Sequence, residues 1–235
     1  MSFLSRAPAP PPLAAPAGDG PGNPWFSWQY VQDNADTIVS KLGFHIGITL
    51  ETVVIALLVA VPLAVLAYWI RPLTGPILAL SGVLYTIPSL ALLAFLIPLL
   101  GAIGIWPALV ALFLYALLPI VRNTHSGIVD IAPNLRESAQ ALGIAPRARL
   151  RLVELPLAAR SILGGIKTSA VINVGTATIA AFIGAGGYGE RIVTGLALND
   201  NQMLLAGAIP AAGLALLVHW SFELLDRRLI PAGVR

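Results

Sequence analysis

Five stretches of this chain are apolar for long enough, or nearly so, to cross a bilayer, and that constrains its fold more than any other feature. A hydrocarbon core about 30 Å thick needs about 20 helical residues. The stretches 46–70, 76–100, 103–121, 166–183 and 203–225 meet or approach that length. Only 11% of the residues are charged and 57% are apolar, with a mean hydropathy of +0.83, whereas a soluble domain carries about 25% charged residues. The polar surface is too small to clothe a globule in water. The expected fold is therefore all-α: a polytopic membrane protein with five transmembrane helices. Internal prolines at 62, 88, 98, 119 and 210 are compatible with membrane helices, where neighbours satisfy the freed backbone groups. The absence of cysteine removes disulfide scaffolds, thiolate catalysis and cysteine-based metal sites. His45, His125 and His219 stand far apart, which disfavours a haem or metal subunit.

The flanking segments divide the rest. Residues 1–24 hold seven of the nineteen prolines among Ala and Gly, a composition expected to give an extended or disordered tail. Those prolines interrupt any apolar core of a cleavable signal. Residues 25–45 mix Trp25, Phe26, Trp28 and Tyr30 with Asp33, Asp36 and Lys41, which fits either an interfacial lead-in helix or a plain loop. Residues 46–225 form the expected transmembrane domain, and 226–235 a short polar tail.

The charges orient the chain. The long polar insert 122–165 carries Arg122, Arg136, Arg147, Arg149, Arg151 and Arg160, with Lys167 just beyond it. The positive-inside rule makes that insert cytoplasmic. With five spans, the N-terminus is then outside and the C-terminus inside. Arg71, Arg227, Arg228 and Arg235 fall on the same side, so eleven of the fourteen basic residues agree. The net charge of +3 thus marks topology and not a nucleic-acid partner.

Within the insert, Asn134 is placed to cap one short helix, with Gly143 as its stop. Pro146 suits the first turn of a second, which Leu155-Pro156 is expected to end. Two short helices bent at a glycine make a knob able to dock in a groove on another protein. The run Glu137-Ser138-Ala139, three residues, Gly143, nine residues, Val153-Glu154-Leu155-Pro156 resembles the EAA loop of permease subunits of binding-protein-dependent ABC importers. That pattern reads Glu-Ala-Ala, three residues, Gly, nine residues, Ile-x-Leu-Pro. Ser138 and Val153 are mild departures. The segments Thr86-Ile87-Pro88-Ser89-Leu90-Ala91-Leu92, Leu117-Leu118-Pro119-Ile120-Val121-Arg122-Asn123-Thr124, Gly175-Thr176-Ala177-Thr178-Ile179-Ala180 and Gly184-Ala185-Gly186-Gly187-Tyr188-Gly189 are similar to permeases for osmoprotectants such as glycine betaine, choline, carnitine and proline.

The resemblance implies a permease that pairs with a second copy or a paralogue and receives substrate from an extracytoplasmic binding protein. It also implies that the loop docks on cytoplasmic ATPase subunits, which would bind ATP and Mg, so that this chain holds no cofactor and catalyses no reaction. Glu137, Ser138, Ala139, Gly143, Arg147, Arg151, Leu155 and Pro156 are the implied coupling residues. For the arginines, attraction to anionic membrane lipid is an alternative to ATPase contact.

Charged side chains in the spans stay near the boundaries (Glu51, Lys167, Glu223, Asp226). The acidic relay expected of a proton-driven carrier is therefore missing. A quaternary ammonium solute is stabilised by aromatic faces, which makes Tyr85 and Tyr115 candidates for the path, unless they simply pack between helices with their hydroxyls bonded. Asn173, Thr176 and Thr178 either line the path or bond across helices. Pro88 and Ser89 either open the backbone beside a cavity or sit at a simple kink. Another small solute such as an amino acid, or a non-transporting scaffold, is the alternative function. No Ser/His/Asp set or HExxH motif points to a membrane enzyme.

Overall fold

The computed structural model describes residues 25–229, and among them every regular element is helical. A short helix α1 (Trp28–Asp33) precedes α2 (Ala35–Trp69), α3 (Arg71–Thr86), α4 (Ser89–Leu100) and α5 (Ile105–Val129). Two small helices, α6 (Pro133–Ala141) and α7 (Pro146–Arg149), come next. A π-helical turn (Leu150–Glu154) leads from α7 into α8 (Leu155–Ile179), which ends in a 3-10 turn (Ala180–Ile183). Helices α9 (Gly189–Leu198) and α10 (Asn201–Leu229) complete the chain. The proline-rich stretch 1–24 and residues 230–235 lie outside the described residues.

Four continuous helical runs are long and apolar enough to span: α2, α5, the run Pro146–Ile183 and α10. The stretch 76–100 behaves differently. It is split between α3 and α4, which meet at an angle of 102°. At 1.5 Å per residue these halves are about 24 and 18 Å long, so neither crosses a 30 Å core alone and the pair makes one broken span. Proline by itself does not cause the break, because Pro62, Pro119 and Pro210 sit inside unbroken helices. At the break, Ile87 and Pro88 are both extended (ψ 126° and 135°), as expected for a residue forced out of the α region by the proline after it.

Helix α5 is the centre of the bundle. Ala56, Ala60 and Ala64, one turn apart on α2, are fully buried against Ala116, Leu117, Ile120 and Val121. Small side chains at that spacing let two backbones approach closely, the main source of helix association where lipid is as apolar as leucine. Helix α4 adds Leu92, Leu93 and Leu96 against Ala111 and Tyr115. Helix α8 crosses α5 at Gly165, where a Cβ would stand 2.7 Å from the Pro119 carbonyl oxygen and 2.8 Å from Asn123 Cβ. Many exposed apolar side chains, among them Leu50, Leu58, Phe95, Leu99 and Leu217, lie on the membrane-crossing helices, where lipid is the solvent.

Several boundaries differ from the sequence expectation. Residues 35–45 are the first turns of the first spanning helix; only α1 stands apart from it. Helix α5 continues to Val129, α6 occupies Pro133–Ala141, and the helical run that leads into α8 already starts at Pro146, so the polar insert is mostly helix. The connection 184–202 is not a plain loop but contains α9. There Arg191, nearly buried, donates to the Tyr30 hydroxyl at 3.1 Å and Asn34 Oδ1 at 3.0 Å. An ion pair between Lys41 and Glu190 adds a second tie between α2 and α9.

Replacing Gly165 with valine inserts a branched side chain into the α5–α8 crossing. The expected cost is about 1–3 kcal/mol, read as a lower midpoint of thermal unfolding for the purified protein in detergent, with little change for Gly164→Ala, whose Cβ would meet nothing within 4 Å.

Candidate functional site

The broken span borders an open, shallow cavity of about 310 Å³ lined by Tyr85 and Thr86 of α3, Ile87 and Pro88 of the break, Ser89 of α4, Tyr115 of α5, and Ile172 and Thr176 of α8. Breaking a helix inside a bilayer frees backbone carbonyls that must find donors. Here the Tyr115 hydroxyl donates to the Ile87 carbonyl. With its hydroxyl so engaged, Tyr115 is held at 7% exposure, and its ring meets that of Tyr85 edge-to-face at 5.8 Å between centroids. The lining contains no charged side chain. It offers two aromatic rings and the Ser89 and Thr176 side chains, and a small recess continues from those two residues toward Leu93, Ala111 and Ala180. Grooves between α1 and α10 and between α2, α8 and α10 have similar volumes, but they are walled almost wholly by apolar side chains.

Five of the seven path candidates, Tyr85, Pro88, Ser89, Tyr115 and Thr176, thus converge on one cavity. Asn173 is elsewhere. It is fully buried between α8 and α2, with Nδ2 3.4 Å from Thr52 Oγ1. The Thr178 hydroxyl donates to the Gly175 carbonyl one turn back, at 2.7 Å.

The second site is the knob formed by α6 and α7. Its bend is at Gly143, with φ +74°, a left-handed conformation that glycine takes without steric cost. Helix α6 does not start on Asn134 as expected: Ala132 is the N-cap and Pro133 occupies the first turn, where its fixed φ and missing N–H cost nothing. Asn134 Oδ1 accepts from the next residue's N–H instead, at 3.0 Å. Nor does Leu155-Pro156 end the second helix. The backbone widens into the π turn at Leu150–Glu154, which accommodates a proline that a regular α turn would reject, and α8 runs on.

Glu137, Ser138, Arg147 and Arg151 are exposed, together with Leu142 at 79%. Ala139 is buried against the protein. Leu155 is half-buried and Pro156 exposed at the start of α8. The knob therefore presents a face carrying one acid, two bases and an apolar tip.

Below that face lies a group the sequence did not single out. Glu154 is 1% exposed. Its Oε1 accepts from Arg149 Nε at 3.1 Å and from the Tyr68 hydroxyl at 3.0 Å, and pairs with Arg136 Nε at 3.6 Å. An Arg–Glu pair five residues apart does not share a face of an α-helix, so helical spacing rules overlook it. The π turn, with its i→i+5 periodicity, brings the two together.

A multi-pass bundle with one broken span, a charge-free cavity at the break and an exposed helical knob at one end belongs to the permease class. Residues 53–231 match the family described as the inner membrane component of binding-protein-dependent transport systems, and the chain belongs to that family. It is 44% identical to the choline transport system permease protein OpuBB of Bacillus subtilis, over 88% of this chain and 95% of that protein. It is 41% identical to the osmoprotectant import permease protein OsmW of Salmonella typhimurium, over 88% and 98% respectively. In fold it matches a chain of the MetNI methionine ABC transporter in an inward-facing conformation, with a TM-score of 0.77 at 21% identity, covering 85% of this chain and 99% of that one.

Tyr115→Phe removes the donor to the Ile87 carbonyl and leaves that oxygen without a partner. The expected loss is about 1–3 kcal/mol, seen as easier thermal unfolding in detergent, whereas Tyr85→Phe leaves the unfolding midpoint unchanged.

Proposed function

We propose that this chain is the translocating subunit of an ATP-driven importer for osmoprotectants, either ones with a quaternary ammonium group such as choline, glycine betaine or carnitine, or proline. The observation that carries the reading is the cavity at the broken span, where two tyrosine rings and the hydroxyl side chains of Thr86, Ser89 and Thr176 meet without a charged residue. An ammonium centre that cannot donate hydrogen bonds is stabilised by aromatic faces, at about 0.5–2 kcal/mol per ring. The named substrates of relatives 41–44% identical over most of the chain support the same class.

The knob end is the cytoplasmic end in this reading. Arg71, Arg122, Arg136, Arg147, Arg149, Arg151, Arg160, Lys167, Arg227 and Arg228 gather there, whereas Lys41 and Arg191 at the opposite end are held by Glu190, Tyr30 and Asn34. Positive charge retained at one end orients a membrane protein with that end inside. The N-terminus is then outside and the C-terminus in the cytoplasm of a bacterial cell. The exposed face of Glu137, Leu142, Arg147 and Arg151 docks on cytoplasmic ATPase subunits, which bind ATP and Mg. A second permease copy or paralogue completes the path, and an extracytoplasmic binding protein delivers the solute. ATP-driven closure of the ATPases moves the docked knobs and rocks the helices between inward-open and outward-open states.

Reconstitution in proteoliposomes with the ATPase and binding protein tests the substrate class. Choline, betaine, carnitine or proline is expected to accumulate with ATP, and no uptake of any of them refutes it. Tyr85→Ala should slow uptake about tenfold, in keeping with the loss of one aromatic face, with Tyr85→Phe close to wild type. Docking has its own check. Gly143→Val places a β-branched residue at φ +74°, a conformation such residues avoid, and should abolish co-purification of the ATPase; wild-type co-purification and transport would sink the docking assignment.

A further inference from the structure

Glu154 occupies the variable position of the Ile-x-Leu-Pro element, so the resemblance assigns it no role. Its surroundings do. The carboxylate receives Arg149 from α7, Arg136 from α6 and the Tyr68 hydroxyl from α2, while Glu154 itself belongs to the turn that opens α8. Arg136 also stacks its guanidinium over the Tyr68 ring at 5.6 Å. The same guanidinium donates through Nη2 to the carbonyls of Ile128 and Val129, closing the last turn of α5. Underneath, Ile128, Leu150 and Ala158 pack with Val65, Tyr68, Leu155 and Ile162 in an apolar floor that keeps water out. Five helices therefore meet at one buried carboxylate.

The contrast with the exposed face is sharp. The side chains of Glu137, Ser138, Arg147 and Arg151 make no hydrogen bond or ion pair to the rest of the described residues, whereas Arg136 and Arg149 both turn inward to Glu154. Helix α6 has only nine residues, one of them buried. Its seating on the bundle consequently rests on Arg136 more than on its own packing. Removing one member of a buried ionic group leaves the others uncompensated, which is far more damaging than losing a surface pair. Without the Glu154 charge, two partly exposed guanidinium groups would face each other with no anion between them.

We propose that Glu154 is the positioning residue that locks the knob onto α2, α5 and α8, so that displacement of the exposed face moves the spanning helices and does not merely swivel the knob. This rests on the reading of that face as the ATPase-docking surface. The two assignments divide the loop's glutamates: Glu137 faces outward to the partner, and Glu154 works inward.

The test uses the full complex in proteoliposomes and measures ATP hydrolysed per solute molecule taken up. Glu154→Gln keeps the shape and removes the charge, and should raise that ratio about tenfold, the order of losing one hydrogen bond to a charged group. Glu154→Asp, which restores the charge, should bring it back most of the way. A merely structural role lowers hydrolysis and uptake in step and leaves the ratio at the wild-type value, which would overturn the proposal. Should Glu154→Gln not accumulate in the membrane, Tyr68→Phe decides: loss of one hydroxyl from the carboxylate should raise the ratio about threefold, and no change overturns the proposal. The two readings fail separately. Wild-type behaviour of Gly143→Val removes the docking surface, whereas unchanged ratios in the Glu154 and Tyr68 variants, with Gly143→Val impaired, remove only the anchor.

Discussion

A backbone carbonyl released inside a bilayer has no water to turn to, and in this protein the Ile87 carbonyl is satisfied by the Tyr115 hydroxyl. Much else depends on that one hydrogen bond. It permits the 102° bend between α3 and α4, and the bend keeps a solvent-sized space between helices that would otherwise close. The bond also fixes the ring of Tyr115 against that of Tyr85, so a structural requirement of the membrane and the chemistry of the cavity are met by one side chain.

The rest of the bundle supplies a frame stiff enough to hold such a break. Alanines on α2 and Gly165 on α8 bring two helices against α5 with almost nothing between the backbones. At the end remote from the knob, Arg191 and the Lys41–Glu190 pair fasten α1 and α2 to α9. Ion pairs at the boundary also tie the knob end, where Lys167 of α8 meets Glu223 of α10 at 2.8 Å. Charged ties thus sit at the two ends, while between them apolar contacts are joined only by neutral hydrogen bonds such as Tyr115–Ile87 and Asn173–Thr52, as the change of solvent along a membrane protein requires.

Features set by local physics were legible from the residues. Apolar length gave the spans, Gly143 the bend of the knob and Pro146 the start of its second helix. Features set by distant partners were not. Whether Pro88 breaks a helix or only kinks it depends on Tyr115, 28 positions away, and five other prolines in the same chain sit inside helices. The stop expected at Leu155-Pro156 fails because the chain has the option of a π turn, and the same turn makes the Arg149–Glu154 pair invisible to α-helical spacing. Of the path residues on α8, Thr176 reaches the cavity while Asn173 and Thr178 do not. All three lie among small residues, so no apolar stripe in the sequence marks which side of the helix faces inward. Helix α9 escaped notice because it is short and preceded by a run of glycines.

The helical run Pro146–Ile183 begins in the knob and passes Thr176 at the cavity wall without interruption. From Glu154 to Thr176 it is a strut about 33 Å long at 1.5 Å per residue. Over that length a tilt of about 5° about Glu154 carries the far point sideways by about 3 Å, comparable to one hydrogen-bond length. A mechanical displacement too small to disturb the packing near its pivot is therefore large enough, at the other end of the arm, to open or close contact with a solute.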